Sequence, residues 1–189
     1  MNDSSVLSLF RESGALLEGH FRLTSGLHSS RYLQSALVLQ HPAHAEVLGR
    51  ALAEKLGSLQ PTVVISPALG GLIIGHEVAR GLGVRAVFAE RVEGKLALRR
   101  GFSFNADDRV VVIEDVVTTG GSTRETVDVA TQAGGQVVGA GSIIDRSSGS
   151  SSLGVPFHAL VALSVPAYQP DACPMCAEGQ PVVKPGSRA

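Results

Sequence analysis

The sequence predicts an α/β fold on a central parallel sheet, and three observations support it. Strand-like apolar runs alternate along the chain with segments of helical character. The runs are continuous stretches of Val and Ile, the pattern of strands buried on both faces. The strongest run, residues 109–115 (RVVVIED), passes through a short turn directly into a helix-like segment.

Residues 1–40 precede the alternation. Their hydroxyl-rich stretch 24–35 is expected to form a small flap, or hood, over one end of the sheet. The run 62–66 (TVVIS) reads as a buried strand, followed by a Gly-containing turn, a helix over 72–81 and a second strand over 84–90 (VRAVFAE). Gly81-Leu82-Gly83 reads as a helix end, since the third glycine of a dinucleotide fingerprint is missing. Behind the strand 109–115 come a helix over 122–133 and strands over 137–145 and 157–165. Right-handed crossovers should join the parallel strands. The insertion 91–108 carries LALRRGFSF, which alternates as a two-stranded ribbon would. The Pro- and Gly-rich tail 166–189 is expected to wrap the surface. The SSGSSS loop at 147–152 is too short to link two domains, so residues 1–189 are read as one domain.

A formal net charge of −1 gives no electrostatic case for nucleic acid or an anionic membrane surface. An anionic ligand would have to be held by local geometry. Lys55, Lys95 and Lys184 are the only lysines, so one inside the insertion stands out. The start MNDSSVLSLF lacks the layout of a secretory signal, and no apolar stretch reaches the roughly 18 residues of a membrane span. Two cysteines, Cys173 and Cys176, cannot staple a chain of this size, so a cytoplasmic protein without a structural disulfide is expected.

The informative segment is 110–123 (VVVIEDVVTTGGST). A buried strand ends in adjacent acids, Glu114 and Asp115. Val116 and Val117 follow, then the small and hydroxyl residues Thr118, Thr119, Gly120, Gly121 and Ser122, then a helix. Glycines allow close backbone approach, hydroxyls donate, and a helix start offers unpaired N–H groups, so this turn can cradle a phosphate without lysine. The acids at the strand's carboxyl end can accept hydrogen bonds from ribose hydroxyls, where open parallel sheets bind ligands. As isolated dipeptides these residues would be only a strand end and a helix cap. The ordered whole is not a Walker loop, since no Gly-Lys-Ser/Thr occurs.

That string resembles the 5-phosphoribosyl 1-diphosphate signature of the type I phosphoribosyltransferases. The resemblance implies their fold: a central parallel sheet flanked by helices with an N-terminal hood. It extends over nearly the whole chain. Residues 21–32 (FRLTSGLHSSRY) look like the base-closing segment of orotate phosphoribosyltransferases, with Ser25 an implied orotate contact. Residues 66–71 (SPALGG) resemble the diphosphate loop, which places Ala68, Leu69, Gly70 and Gly71 there. Residues 143–146 (IIDR) resemble the strand end whose arginine, here Arg146, contacts the orotate carboxylate. Bidentate pairing of a guanidinium with a carboxylate suits that role, and a neutral purine would give no reason for it. Thr118 would also hydrogen-bond the base. The insertion 91–108 corresponds to the catalytic lid, with Arg91 and Lys95 meeting the departing diphosphate and Glu93-Gly94 turning the chain near its tip.

The same resemblance implies transfer of ribose 5-phosphate to orotate, giving orotidine 5'-phosphate and diphosphate in pyrimidine biosynthesis. It also implies Mg²⁺ held mainly by the substrate and a homodimer whose lid is shared between subunits. Many relatives have a longer, lysine-rich lid and lysines where Thr24 and Gly70 stand, so this chain looks like a short-lid subfamily. Arg99 and Arg100 read equally as lid contacts or as a solvated basic hairpin. Another base as acceptor, or a non-enzymatic sensor of the activated sugar, are the alternatives; the first lacks a use for Arg146 and the second predicts a missing lid or an added DNA-binding segment. Cys173 and Cys176 are half a tetrahedral zinc site with no second cysteine pair in the sequence; two copies could complete one across a dimer axis, but a pair without metal is the preferred reading. His158 reads as a core residue of an apolar strand, and His20, His28, His41, His44 and His76 read as surface or capping residues.

Overall fold

A computed structural model of the chain describes residues 1–23, 25–147 and 152–185. Thr24, part of the 147–152 loop and the last four residues lie outside the described set. In chain order the elements are α1 (Asp3–Glu12), β1 (Leu16–Arg22), β2 (His28–Leu33), α2 (Ser35–Leu39), α3 (Pro42–Leu56), β3 (Val63–Pro67), α4 (Gly71–Leu82), β4 (Arg85–Val92) and β5 (Lys95–Leu98). They continue with β6 (Arg109–Val117), α5 (Gly121–Gln132), β7 (Gln136–Asp145), β8 (Phe157–Ala162), β9 (Ala167–Tyr168) and α6 (Pro174–Ala177).

The Val/Ile runs become the middle of a six-stranded sheet of order β5-β4-β3-β6-β7-β8. The five strands from β4 to β8 run parallel, and β5 adds antiparallel to the edge. Alternate side chains face opposite layers. Val64, Val111, Ile113 and Ile143 pack with Leu48, Leu52, Ile74 and Val78 of α3 and α4. Val63, Ile65, Val110 and Val112 pack with Ala130 of α5 and with Phe102 and Phe104. Burial on both faces is why these runs read as continuous rather than alternating.

A second, three-stranded antiparallel sheet, β1-β2-β9, forms the hood. The tail does more than wrap the surface. β9 pairs with β2 at His28↔Tyr168, and Val183 bridges to Phe21 of β1, so both chain ends build the hood together.

The ribbon expected within LALRRGFSF forms one step earlier. Residues 89–92 pair with 95–98, in the register Ala89↔Leu98 to Val92↔Lys95. Glu93 and Gly94, with φ of 50° and 85°, make the turn between them, as a two-residue hairpin requires. The other half leaves the sheet at Arg100 and Gly101, both at positive φ, and its two phenylalanines bury against the core. The alternation there reflects aromatic packing, and the open edge of β4 captured LAL instead. Gly83 closes α4 in the left-handed conformation, φ 71°, as the helix-end reading expected.

Helices α3 and α4 approach so closely at Gly49 that a Cβ there would lie 2.8 Å from the Glu77 carbonyl carbon. Gly49→Ala should therefore cost about 1–3 kcal/mol, read as a lower urea midpoint at unchanged slope; an unchanged midpoint would contradict this packing.

Candidate active site

The sheet order contains one reversal that matters. From β3 the chain moves outward to β4, then crosses back to place β6 on the other side of β3. At such a switch point the loops leaving two neighbouring strands diverge and open a crevice at their carboxyl ends. The loops here are 68–70, between β3 and α4, and 118–120, between β6 and α5.

The 68–70 loop is held by Ala68 N–H donating to Ala89 O at 2.7 Å, and its Ala68–Leu69 peptide is cis. Two glycines stand where it meets β6, and backbone crowding makes glycine necessary at Gly71. A Cβ on Gly70 would sit 3.1 Å from Asp115 Oδ1, and one on Gly71 would sit 2.9 Å from the Ile113 carbonyl oxygen. On the facing loop, Gly120 is the N-cap of α5 at φ 75° with no side-chain cap. The first-turn amides of α5 thus remain available to an anion. Arg124 braces the turn by donating to Thr119 O at 2.9 Å.

Glu114 is buried at 8% exposure, beside Asp115. Burial first, and then the Asp115 charge, pushes its carboxyl up to about 9. In the ligand-free protein at neutral pH Glu114 therefore carries a proton. Asp115 accepts from Val116 N–H at 2.8 Å and is only partly buried.

Two clefts flank the 118–122 turn. One, of about 530 Å³, is lined by Pro67, Ala68, Gly70, Arg91, Glu114 and Ser122. The other, of about 540 Å³, lies beneath the hood and is lined by Leu23, Ser25, Leu27 and Tyr32 together with Thr118, Thr119, Arg146 and Val165. Arg146 follows β7, its N–H donating to Val117 O at 2.7 Å. Its Nε is buried with no hydrogen-bond partner among the described residues. Burial lowers the guanidinium below its ordinary value while Tyr32 opposes that. A cation in this state at the wall of a mostly apolar cleft calls for an anionic partner.

The sequence-predicted residues fall into three groups. Ala68, Gly70, Arg91, Glu114 and Ser122 meet around the first cleft, and Ser25, Thr118, Thr119 and Arg146 around the second. Leu69 is 82% exposed at the loop tip. Lys95 is not brought to either cleft: within β5 Leu96 faces inward and Lys95, one residue before it, faces solvent. Arg99 and Arg100 both pair with Glu90, at 3.6 and 3.0 Å, and so brace the ribbon base.

Sequence reasoning missed Glu125. It pairs with Arg91 at 3.1 Å and accepts from Leu96 N–H at 2.6 Å, tying the ribbon to α5. An acid in the first half of a helix reads as ordinary surface, so nothing in the sequence marked it. The reading of His20 and His28 as surface or capping residues is corrected. Both are buried, and both stand with Cys173 and Cys176 in one cluster far along the chain from either cysteine. His41 does sit at the N-cap of α3, but makes no side-chain capping bond.

Comparison with known proteins agrees with this geometry. Residues 35–153 match the model of the phosphoribosyl transferase domain family. An orotate phosphoribosyltransferase of Heliobacterium modesticaldum is 55% identical over 190 residues, covering all of both chains. Another, from Pelotomaculum thermopropionicum, is 53% identical over 100% of this chain and 99% of its own. The crystal structure of orotate phosphoribosyltransferase from Aeropyrum pernix superposes with a TM-score of 0.68 at 27% identity, over 84% of this chain and 93% of that one. With the fold, the switch-point loops and full-length relatives in agreement, the chain belongs to the type I phosphoribosyltransferases, within the orotate phosphoribosyltransferase family.

Proposed function

We propose that this chain transfers the ribose 5-phosphate group of 5-phosphoribosyl 1-diphosphate to orotate, forming orotidine 5'-phosphate and releasing diphosphate. The observation that carries the choice of acceptor is Arg146, a half-buried guanidinium whose buried Nε has no partner among the described residues, on the wall of a cleft beside the phosphate turn. Orotate supplies the missing carboxylate. The turn 118–122 stands between the two clefts, which matches a substrate pair with three parts. The 5-phosphate would sit on the turn, the diphosphate in the cleft lined by 67–70 and Arg91, and the base under the hood with Ser25 and Thr118.

The chemistry is displacement at the anomeric carbon. The bond to diphosphate breaks with its electron pair leaving on oxygen, the orotate ring nitrogen bonds to the carbon, and the ring proton passes to the departing diphosphate or to water. Positive charge grows on the sugar in between. The protein's part is positioning and charge stabilisation rather than covalent work. Glu114 and Asp115 would accept hydrogen bonds from the ribose hydroxyls, and the ionised pair would face the developing cation. Donor binding should therefore drive the Glu114 proton off. Among the described residues no third acid joins Glu114 and Asp115 in a shared ion site. A Mg²⁺ held through donor oxygens and water would supply charge neutralisation for the diphosphate, with Glu114 and Asp115 orienting the ribose beside it.

Lys95 is exposed beside its own cleft rather than lining it, which fits a homodimer in which the ribbon serves the neighbouring subunit. Among the described residues no helix is long and apolar enough to cross a membrane.

Loss of orotate absorbance on adding donor and Mg²⁺ tests the reaction, with hypoxanthine, adenine and uracil as competing acceptors. Turnover with orotate alone is expected, and Arg146→Ala should raise its KM about 100-fold or more. Equal use of another base, or an unaffected KM, would remove the assignment. Lys95→Ala should lower kcat by about 100-fold or more with only a modest change in donor binding; near-normal turnover would remove the lid assignment. Mixing Lys95→Ala with Glu114→Gln dimers should regenerate activity if the ribbon acts in trans, because one hybrid site is then intact. No recovery after subunit exchange would confine the ribbon to its own cleft.

Glu114 makes a pH prediction of definite sign. Its folded value near 9 lies above its ordinary 4.5. Its contribution to stability is thus complete below pH 4.5 and is lost as pH rises toward 9. Ligand-free Glu114→Gln should melt roughly 3–8 °C above the parent at pH 8 and at nearly the same temperature at pH 5, while losing turnover. A variant less stable than the parent at pH 8 would contradict the protonated carboxyl.

A further inference from the structure

The hood holds a cluster that the reaction does not use. His20 lies on β1, His28 begins β2, Cys173 precedes α6 and Cys176 lies within it. Their four ligand atoms all lie within 4.8 Å of one another. The contacts are Cys173 Sγ to His20 Nε2 at 3.6 Å, Cys176 Sγ to His20 Nε2 at 3.7 Å, Cys176 Sγ to His28 Nδ1 at 3.2 Å and His20 Nε2 to His28 Nδ1 at 2.8 Å. A tetrahedral ion with M–S of about 2.3 Å and M–N of about 2.0 Å has N···S edges of about 3.5 Å and an N···N edge of about 3.3 Å. The three N···S contacts lie within about 0.3 Å of that edge, while the N···N contact is shorter, a hydrogen bond that a bound ion would replace.

A second observation concerns which atoms carry lone pairs. His20 Nδ1 lies 2.8 Å from the Gln180 carbonyl oxygen, which can only accept. Nδ1 must therefore hold the proton, and Nε2 presents its lone pair to the two sulfurs and to His28. A ring nitrogen fixed in this way by a backbone carbonyl is the usual outer support of a histidine metal ligand. Gln180 is itself held, its N–H donating to Met175 O at 2.9 Å.

We infer that His20, His28, Cys173 and Cys176 bind one Zn²⁺ as a closed structural site. Two thiolates neutralise the ion, so the filled cluster needs no counter-charge although three of its ligands are buried and only Cys176 is exposed. Mixed sulfur and imidazole donors in a tetrahedron favour zinc over Mg²⁺ or Ca²⁺. Four protein ligands leave no position for water or substrate, so the ion is structural. Its place in the fold follows: it ties the hood strands to a tail segment more than 150 residues away, |i−j| being 153 for His20 and Cys173. The strands it anchors continue into Leu23, Leu27 and Tyr32, one wall of the second cleft.

The test is metal content of untagged protein purified under reducing conditions from zinc-supplemented cells. About one zinc per chain is expected in the parent and in His41→Ala, with at least a tenfold loss in Cys173→Ser and in His28→Ala. The variants could lose zinc by unfolding, so reduced, zinc-stripped parent protein is also titrated with Co²⁺. Tetrahedral d–d bands and a thiolate-to-cobalt charge-transfer band, abolished by one equivalent of zinc, would support the site whatever the variants do. A parent protein with less than about a tenth of an equivalent of zinc and no such bands, or one whose cysteines are joined as a disulfide, would overturn it.

Discussion

Parallel pairing of Val63–Ile65 with Val110–Val112 places two carboxyl strand ends side by side at the one point where the chain's direction of travel across the sheet reverses. Both loops that matter leave the sheet there. The pairing is held by residues with no exposed surface, so it is among the least deformable parts of the molecule. Two glycines then let the loops touch, Gly70 against the Asp115 carboxylate and Gly71 against the Ile113 carbonyl oxygen. A rigid floor with close loops above it is what catalysis by positioning requires, since the groups need not be reorganised when charge moves.

Charge is stored on that floor in two opposite ways. Glu114 is kept neutral by burial beside Asp115, and Arg146 stays a guanidinium whose Nε lacks a partner among the described residues. Each is unfavourable in the empty protein and each is relieved by one half of the proposed substrate pair. A ribose hydroxyl set with growing positive charge suits the acid pair, and a carboxylate suits the arginine. The 118–122 turn separates these environments, and in the proposed reaction the two substrates would meet across it. The hood supplies the rest of the second cleft, and its own stability depends on a tail that returns from the far end of the chain.

Much of this was legible in the sequence because it is written locally. Continuous Val/Ile runs announce strands buried on both faces, and 110–123 contains strand, acids, turn and helix start in a single stretch. What sequence reading lost depends on contacts between distant segments. The alternation of LALRRGFSF was genuine, yet Phe102 and Phe104 use it to pack on the core while LAL pairs with β4. Glu125 gains meaning only because α5 lies under the ribbon. Cys173 and Cys176 looked like half a site because His20 and His28 lie at the opposite end of the chain, and no spacing rule connects them. The orientation of Lys95, outward while Leu96 turns in, follows from which edge β5 joins and could not be read from the insertion alone.

The central claim is that main-chain amides and hydroxyls between Asp115 and Thr123 wrap a sugar-linked phosphate. A crystal structure of the chain with 5-phosphoribosyl 1-diphosphate tests it most directly. The account predicts the 5-phosphate within hydrogen-bond reach of the 118–122 backbone, with both ribose hydroxyls on Glu114 and Asp115. A donor bound elsewhere, leaving that turn vacant at saturating concentration, would contradict it.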